Sequence, residues 1–226
     1  MSVATKAHIV YKDERGKRLP GTTKVLGILN KPALVHAAWK LGTEGLDYRK
    51  VWGQARDIGT LAHYLIQCEL RGEKPDTSEY SQVVIKKAET AYRAFLDLYA
   101  ERAWVPVMHA GKLAVEVSLV SKLGFGGTFD LVARQGDNTR LLSDWKTSKP
   151  SKSSPTGLYR EHLYQLAGYK ILWEECHPNE PIQRMGIGIL NKETGAHHFH
   201  EYNSLKKEEE IFLACLKLYK LLKGGE

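Results

Sequence analysis

The sequence is poor in cysteine. Among its 226 residues only Cys68, Cys176 and Cys215 occur, and they are far apart. Three dispersed cysteines do not suggest the disulfide framework of a small secreted protein, and a reducing compartment suits them. A cluster held by four cysteines needs one ligand more than the sequence supplies, so we expect no iron–sulfur cofactor.

Long apolar runs are also missing, because no stretch approaches the ~20 apolar residues that a membrane span requires. Residues 1–17 contain no apolar signal-peptide core and carry acidic residues early, so neither a secretory signal nor a transit peptide is indicated. The sequence contains no internal repeat and no low-complexity tract. We therefore expect a cytoplasmic protein that makes no use of a membrane.

Positive charge is in excess, with 33 lysines and arginines against 26 acidic residues and a formal net charge of +7. This balance is consistent with a polyanionic partner such as DNA. The segment 146–155, KTSKPSKSSP, combines Lys149 and Lys152 with hydroxyl groups and two prolines, which predicts a loop. It is either a mobile loop that contacts a phosphate backbone or a solvated linker, and the sequence favours neither.

Residues 43–54 form a second candidate contact and are predicted to be a loop or a helix turn. Together with Arg56 they supply a basic and aromatic set that includes Arg49, Lys50 and Trp52. Aromatic side chains stack on unpaired bases, but Trp52 is equally well explained as a core residue.

The spacing of apolar residues predicts an α/β fold. The predicted helices lie at 32–42, 55–71, 81–102, 157–175 and 205–223. The predicted strands lie at 112–120, 127–134, 139–147, 184–190 and 196–202, with a short strand at 8–12. Strands bracketed by helices imply a mixed central sheet flanked by helices. The length suits one domain, 1–226, with a mainly helical part over 1–105 and an α/β core over 106–226.

Two carboxylates and a lysine are brought together by one predicted hairpin. The runs GGTFDLV and LLSDWKT carry Asp130, Asp144 and Lys146, and the turn signal Gly-Asp-Asn at 136–138 separates them. A short hairpin places Asp130 beside Asp144. Because strand side chains alternate between faces, Lys146 shares the face of Asp144 while Trp145 points into a packed layer.

Neighbouring carboxylates repel each other unless a proton or a cation lies between them. Mg²⁺ is the usual partner, because it takes one or two carboxylate ligands and keeps other positions open for phosphate and water. Lys146 adds positive charge at a scissile phosphate and would help to orient or deprotonate the attacking water. This set suits a metal-dependent phosphodiesterase. The simpler alternative is a surface hairpin with an ion pair between Asp144 and Lys146.

Three further motifs accompany this hairpin. Gly59 and His63 are four residues apart in one predicted helix, and Gln165 and Tyr169 have the same spacing in another. Glu116 lies in the predicted strand 112–120, where it faces either the solvent or the site. The chain order is therefore G-x-x-x-H, E, G-x-x-D, D-x-K and Q-x-x-x-Y.

This series resembles the RecB-type branch of the PD-(D/E)XK nuclease superfamily. The segment 11–42 is similar to the beginning of phage-encoded nucleases of that branch, and the resemblance extends over about residues 11–200. It implies a restriction-endonuclease-like core with a mixed central sheet, and Mg²⁺ or Mn²⁺ as the cofactor. It also implies the cytoplasm of a bacterium or of a phage-infected cell.

The resemblance further implies a role for each motif residue. His63, Asp130 and Asp144 would bind the metal, together with the backbone carbonyl of Trp145. Lys146 would assist the attacking water, and Glu116 would bind a second metal or support the first. The resemblance also implies two supporting residues, Gln165 and Tyr169. Apart from the resemblance, the basic residues that we predict to contact DNA are Lys149, Lys152, Arg56 and Arg160.

The activity implied is that of a DNA exonuclease acting on single-stranded or end-bearing DNA in replication, recombination or repair. A recombination or replication protein would be its partner. Two alternatives are a structure-selective endonuclease and a DNA-binding module that has lost catalysis. The sequence also does not exclude activity on RNA, because nothing in it reads the 2′-hydroxyl group.

Overall fold

The computed structural model describes residues 9–148 and 156–223. The helices within these ranges are α1 (Thr22–Val25), α2 (Pro32–Thr43), α3 (Tyr48–Arg71), α4 (Gln82–Arg102), α5 (Arg160–Cys176) and α6 (Lys206–Lys223). The strands are β1 (Tyr11–Lys12), β2 (Arg18–Leu19), β3 (Val105–Pro106), β4 (Met108–His109), β5 (Lys112–Leu113), β6 (Val115–Ser121), β7 (Phe125–Arg134), β8 (Arg140–Ser148), β9 (Arg184–Asn191) and β10 (His197–Tyr202).

The central sheet is mixed, as the sequence predicts. Its order is β10-β9-β8-β7, and both β6 and β3 pair with the outer edge of β7. Only β8 and β9 are parallel among these pairs of the described chain. A parallel pair needs a long crossover connection, and α5 lies in the connection between β8 and β9.

Apolar side chains pack on both faces of this sheet, with α5 and α6 on one face and α3 and α4 on the other. The two-residue period of β8 explains this division: Leu142 belongs to the first cluster and its neighbour Leu141 to the second. Trp145 lies in the second cluster, where its ring stacks on Trp104 and meets the edge of Phe95. The predicted inward direction of Trp145 is therefore correct.

Two predicted boundaries were wrong. The strand 112–120 is broken at Ala114, because Lys112 and Leu113 pair with β4 while the strand that pairs with β7 begins only at Val115. The helix expected at 55–71 already begins at Tyr48, since the Asp47 side chain accepts a hydrogen bond from the backbone N–H of Arg49 and caps it. Most of the segment 43–54 is thus helical.

Two further predictions concern the loop at 146–155 and membrane-spanning helices. Lys149 and Lys152 lie outside the described residues, so the nature of their loop remains a prediction. Within the described ranges, no helix is both long and apolar enough to span a membrane.

The burial of Trp145 leads to a stability prediction. We expect Trp145→Ala to lower the free energy of unfolding by about 3–5 kcal/mol, because a fully buried aromatic ring is lost from a packed layer. Urea denaturation followed by circular dichroism measures this change. The matched control is Trp39→Ala, which removes an exposed indole and should change stability by about 0.5 kcal/mol or less. Equal losses in the two variants would contradict the packing described above.

Candidate metal centre

Three carboxylates form a row across neighbouring strands. Glu116 and Asp130 lie opposite each other in β6 and β7, because the pairs Val115↔Leu131 and Val117↔Phe129 flank them. On the other side of β7, the pairing with β8 extends to Leu131↔Ser143, one residue short of Asp130 and Asp144. The hairpin predicted from sequence therefore exists, and β6 adds a third carboxylate to it.

The side chain of Asp130 holds two elements at this point. One oxygen, Oδ2, accepts a hydrogen bond from the backbone N–H of Trp145 at 2.5 Å, where the pairing of β7 with β8 has ended. The other oxygen, Oδ1, lies 3.0 Å from Nδ1 of His63 on α3. Asp130 thus fixes the backbone between Asp144 and Lys146 and orients the histidine.

Glu116 is held in an uncommon backbone conformation, with a φ of 51° in the left-handed region. For a residue with a side chain this costs on the order of 1–3 kcal/mol and is found mainly at functional sites. Its Oε1 lies 3.6 Å from Nδ1 of His63. The sequence allowed Glu116 to face either the solvent or the site, and in the structure it faces the site.

Gly59 explains how His63 reaches the sheet. A Cβ atom at Gly59 would lie 3.0 Å from Oγ1 of Thr147 in β8, so the missing side chain lets α3 approach the strand closely. One helical turn later, His63 comes opposite β6 and β7. The G-x-x-x-H spacing therefore has a packing reason.

Gly127 has a comparable role in the G-x-x-D motif. A Cβ atom there would lie 2.6 Å from Oγ1 of Thr22 and 2.8 Å from the ring of Tyr169. The absence of a side chain allows α1 and α5 to meet over β7, three residues before Asp130. The motif thus shapes the wall of the site as well as supplying a carboxylate.

The donor atoms of His63, Glu116 and Asp130 all lie within 4.8 Å of one another. Carboxylate oxygens are the ligands that Mg²⁺ prefers, and an imidazole nitrogen also suits Mn²⁺ and other transition metals. The donor set therefore fits a divalent cation. Asp144 is not part of this closest group, although it is the next residue in the row.

Burial and mutual repulsion change the acidity of these groups. Burial raises the pKa of Asp144 to about 6, against the opposing effect of Lys146 and with a further contribution from Asp130. Burial raises the pKa of Asp130 in the same way, while His63 opposes it. For His63, burial alone would lower the pKa, but Asp130 and Glu116 outweigh it and raise the pKa well above 6.5. Positive charge is therefore favoured between the carboxylates.

Lys146 contributes such a charge from the sheet itself. Its Nζ forms an ion pair with Oδ2 of Asp144, and both side chains are largely shielded from solvent. The strand alternation that placed these residues on one face is correct. The alternative of an exposed surface ion pair does not agree with this burial.

Gln165 and Tyr169 lie together on α5, as their spacing predicts. Nε2 of Gln165 donates to the hydroxyl oxygen of Tyr169 at 2.6 Å and to Oγ1 of Thr23 at 3.2 Å. Burial and the charges of Asp144 and Asp130 raise the pKa of Tyr169 well above 10, so the phenol stays protonated beside the carboxylates. Gln165 thus connects α5 with α1 across the site.

All of these side chains open into one cleft of about 710 Å³. Three basic residues that the sequence analysis did not select also line it, namely Arg18, Lys24 and Arg71. Arg71 follows His63 by two helical turns, and its Nη2 donates to the carbonyl oxygen of Val115 at 2.6 Å. The four-residue spacing of His63, Gln67 and Arg71 was the signal that could have identified it.

Two of the proposed DNA contacts lie elsewhere on the surface. Arg56 in α3 and Arg160 at the beginning of α5 are exposed, and neither lines the cleft. A contact with DNA at either position therefore requires a strand that extends beyond the cleft.

Comparison with solved structures finds chains that resemble this one only weakly. An alkaline exonuclease (LHK-Exo) from Laribacter hongkongensis is 16 % identical, with 76 % of this chain and 90 % of that chain covered and a TM-score of 0.35. The crystal structure of SSO0001 is 12 % identical, with 62 % of each chain covered and a TM-score of 0.32. This chain therefore spans less than two thirds of the length of SSO0001. No curated protein matches the chain.

The family assignment does not depend on these likenesses. Residues 34–221 match the family model of the PD-(D/E)XK nuclease superfamily. That range contains His63, the three carboxylates and Lys146, and the mixed sheet that carries them agrees with the fold of the family. The protein belongs to the PD-(D/E)XK nuclease superfamily.

Proposed function

We propose that the protein is a metal-dependent deoxyribonuclease that hydrolyses phosphodiester bonds, and that it works as an exonuclease of the RecB-type branch. The observation that carries this proposal is the row of Glu116, Asp130 and Asp144 beside His63 and Lys146 in a basic cleft. The family supports nuclease chemistry. The sequence motifs that resemble RecB-type enzymes support the exonuclease mode.

Mg²⁺ or Mn²⁺ would be held by His63, Asp130 and Asp144 with the carbonyl of Trp145, and we add Glu116 because of its distance to His63. When bound, such a cation supplies Lewis acidity and neutralises charge at the scissile phosphate. The hydrogen bond from Trp145 N–H to Asp130 keeps that carboxylate in one orientation. The ligand set is therefore organised before a cation arrives.

Lys146 would stabilise the negative charge that develops on the phosphate during attack by water. Its ion pair with Asp144 keeps the ammonium group in place beside the carboxylate row. Tyr169 would position a phosphate oxygen or the water through its O–H group, which lines the cleft, and Gln165 would hold that hydroxyl in place by donating to it.

A DNA-binding module that has lost catalysis is the main alternative. The buried carboxylates and the left-handed conformation of Glu116 both cost stability, and a module that only binds DNA has no physical need for either. A structure-selective endonuclease would use the same residues, so only the choice of substrate separates it from an exonuclease.

The first prediction concerns catalysis. We expect Asp144→Ala and Lys146→Ala to reduce cleavage by at least about 100-fold, because each removes a charge at the reacting phosphate. The assay digests end-labelled single-stranded DNA, linear duplex and closed circular DNA with Mg²⁺. Lys217→Ala, which removes an exposed lysine of α6, is the control and should cleave normally.

The substrates separate the alternatives in this assay. Degradation of linear DNA with survival of the circle supports an exonuclease, and cleavage of the circle indicates an endonuclease. Full activity in the purified Asp144→Ala or Lys146→Ala protein would show that the site has been assigned wrongly.

The second prediction concerns metal binding, measured without DNA. We expect Mn²⁺ to raise the Tm of the protein, since a ligand at 100 times its Kd stabilises the fold by about 2.7 kcal/mol. Glu116→Gln should reduce this increase, because it removes one anionic oxygen from the donor set. Differential scanning fluorimetry at constant ionic strength measures the change. Glu210→Gln, on the exposed side of α6, should respond like the natural protein, and an undiminished shift in Glu116→Gln would exclude Glu116 as a ligand.

The third prediction concerns the basic wall of the cleft. Lys24 is exposed and lines the cleft, so Lys24→Ala should weaken DNA binding and reduce the slope of log affinity against log salt concentration by about 0.7–0.9. Fluorescence anisotropy in EDTA over a range of NaCl concentrations gives both quantities. If the slope equals that of Lys217→Ala, Lys24 does not contact a phosphate.

A further inference from the structure

Helix α2 is apolar, yet none of its residues is buried. Its sequence is PALVHAAWKLGT, in which Val35 and Trp39 keep 71 % and 64 % of their surfaces exposed. Leu34 is exposed as well. Neighbouring exposed apolar side chains on one helix are uncommon in monomeric proteins and are characteristic of contact surfaces.

Aromatic rings make up much of this surface. On α2 the ring of His36 lies 5.7 Å from that of Trp39. At the beginning of α3, the ring of Tyr48 meets the edge of Trp52 at 5.0 Å, and the guanidinium group of Arg49 lies 5.7 Å from the centre of the Tyr48 ring. We call α2 and the residues 48–56 of α3 the α2–α3 platform.

The platform is also cationic. The segment 31–56 contains five lysines and arginines against two acidic residues. Lysine is depleted from the cores of protein–protein interfaces, whereas exposed aromatic rings interspersed with cations are typical of surfaces that bind single-stranded nucleic acid. A single strand offers phosphates to the cations and unpaired base faces to the rings. In a duplex the base faces are covered by stacking.

The platform continues from the cleft along the chain. In the sequence, α2 lies between two segments that line the cleft. Lys24 precedes α2, and His63 follows it on α3. Burial lowers the pKa of His162 to about 3, and the charges of Lys146 and of Lys31, at the N-cap position of α2, add to this effect. Tyr48 precedes His63 by fifteen residues of one helix, which is about 22 Å along its axis.

We propose that the α2–α3 platform binds the unpaired bases of a single DNA strand whose end lies in the cleft, with Trp39 as the main stacking residue. This inference rests on the proposed nuclease function and adds its substrate class, which is DNA with a single-stranded portion several nucleotides long. Trp39 and Tyr48 bind bases, while Arg49, Lys50 and Arg56 bind the phosphates between them. Arg56 thereby acquires a role outside the cleft.

The test compares two fluorescein-labelled probes in EDTA, so that binding is measured without cleavage. One is the oligonucleotide dT20, and the other is a 20-unit abasic strand that has the phosphates but lacks the bases. We expect Trp39→Ala to bind dT20 about tenfold more weakly than the natural protein, because one stacked base is lost. Binding of the abasic strand should be unchanged, and Trp39→Phe should bind dT20 almost normally.

Val35→Ala is the matched control, because Val35 is at least as exposed as Trp39 and lies on the same helix. It should bind both probes like the natural protein. The proposal is overturned if Trp39→Ala binds dT20 normally, or if it loses affinity for both probes equally. It is also overturned if sedimentation shows a dimer that both Val35→Ala and Trp39→Ala dissociate, since a second copy of the chain would then cover the helix.

A parallel digestion of linear DNA with Mn²⁺ keeps this inference separate from the proposed function. If the natural protein digests DNA but Trp39→Ala binds dT20 normally, the platform is overturned and the nuclease function stands. If Trp39→Ala shows the expected loss but the natural protein digests nothing, the platform is supported and the catalytic function is overturned.

Discussion

The crowding of negative charge across three neighbouring strands governs the rest of the site. Glu116, Asp130 and Asp144 occupy corresponding positions in β6, β7 and β8, and two of them are buried. Such a row is stable only where protons or cations balance it. Within the described chain, His63 from α3 and Lys146 from β8 supply part of the positive charge, and a divalent cation would supply more. The repulsion is therefore what would favour a metal ion at the proposed centre.

This arrangement depends on a rigid support beneath it. Trp145 is buried in the layer below the sheet while its two neighbours in sequence face the site, so one side chain anchors the strand that carries Asp144 and Lys146. Gly59 and Gly127 have no side-chain atoms that would keep α3, α1 and α5 away from the strands. Packing on both faces thus determines how closely the charged groups approach.

The proposed binding of substrate extends beyond this centre. Arg18, Lys24 and Arg71 surround the carboxylate row with positive charge within the cleft, and the α2–α3 platform continues that charge with exposed aromatic rings. The cleft suits a phosphate group and the platform suits bases. A strand that uses both would be held by its backbone near the metal and by its bases some distance away, which would keep an end oriented towards the cleft.

The sequence by itself determined the hairpin of β7 and β8, because a two-residue period and a turn signal are local properties. It also determined that Asp144 and Lys146 share a face opposite to Trp145, and that His63, Gln165 and Tyr169 belong to helices. The mixed sheet followed from the order of these elements. The roles of the individual residues remain proposals, and so does the prediction that residues 1–226 form one domain.

Only the tertiary structure decided which residues from distant segments join the hairpin. Glu116 could face either way from sequence, since the break at Ala114 and the left-handed backbone at position 116 depend on pairing with β4 and β7. Arg18, Lys24 and Arg71 reach the cleft through packing between segments far apart in the chain, which no local pattern encodes. Likewise, α2 has the apolar composition of a core helix. Only the tertiary structure shows that neither hydrophobic cluster contains any of its residues, which leaves the helix exposed.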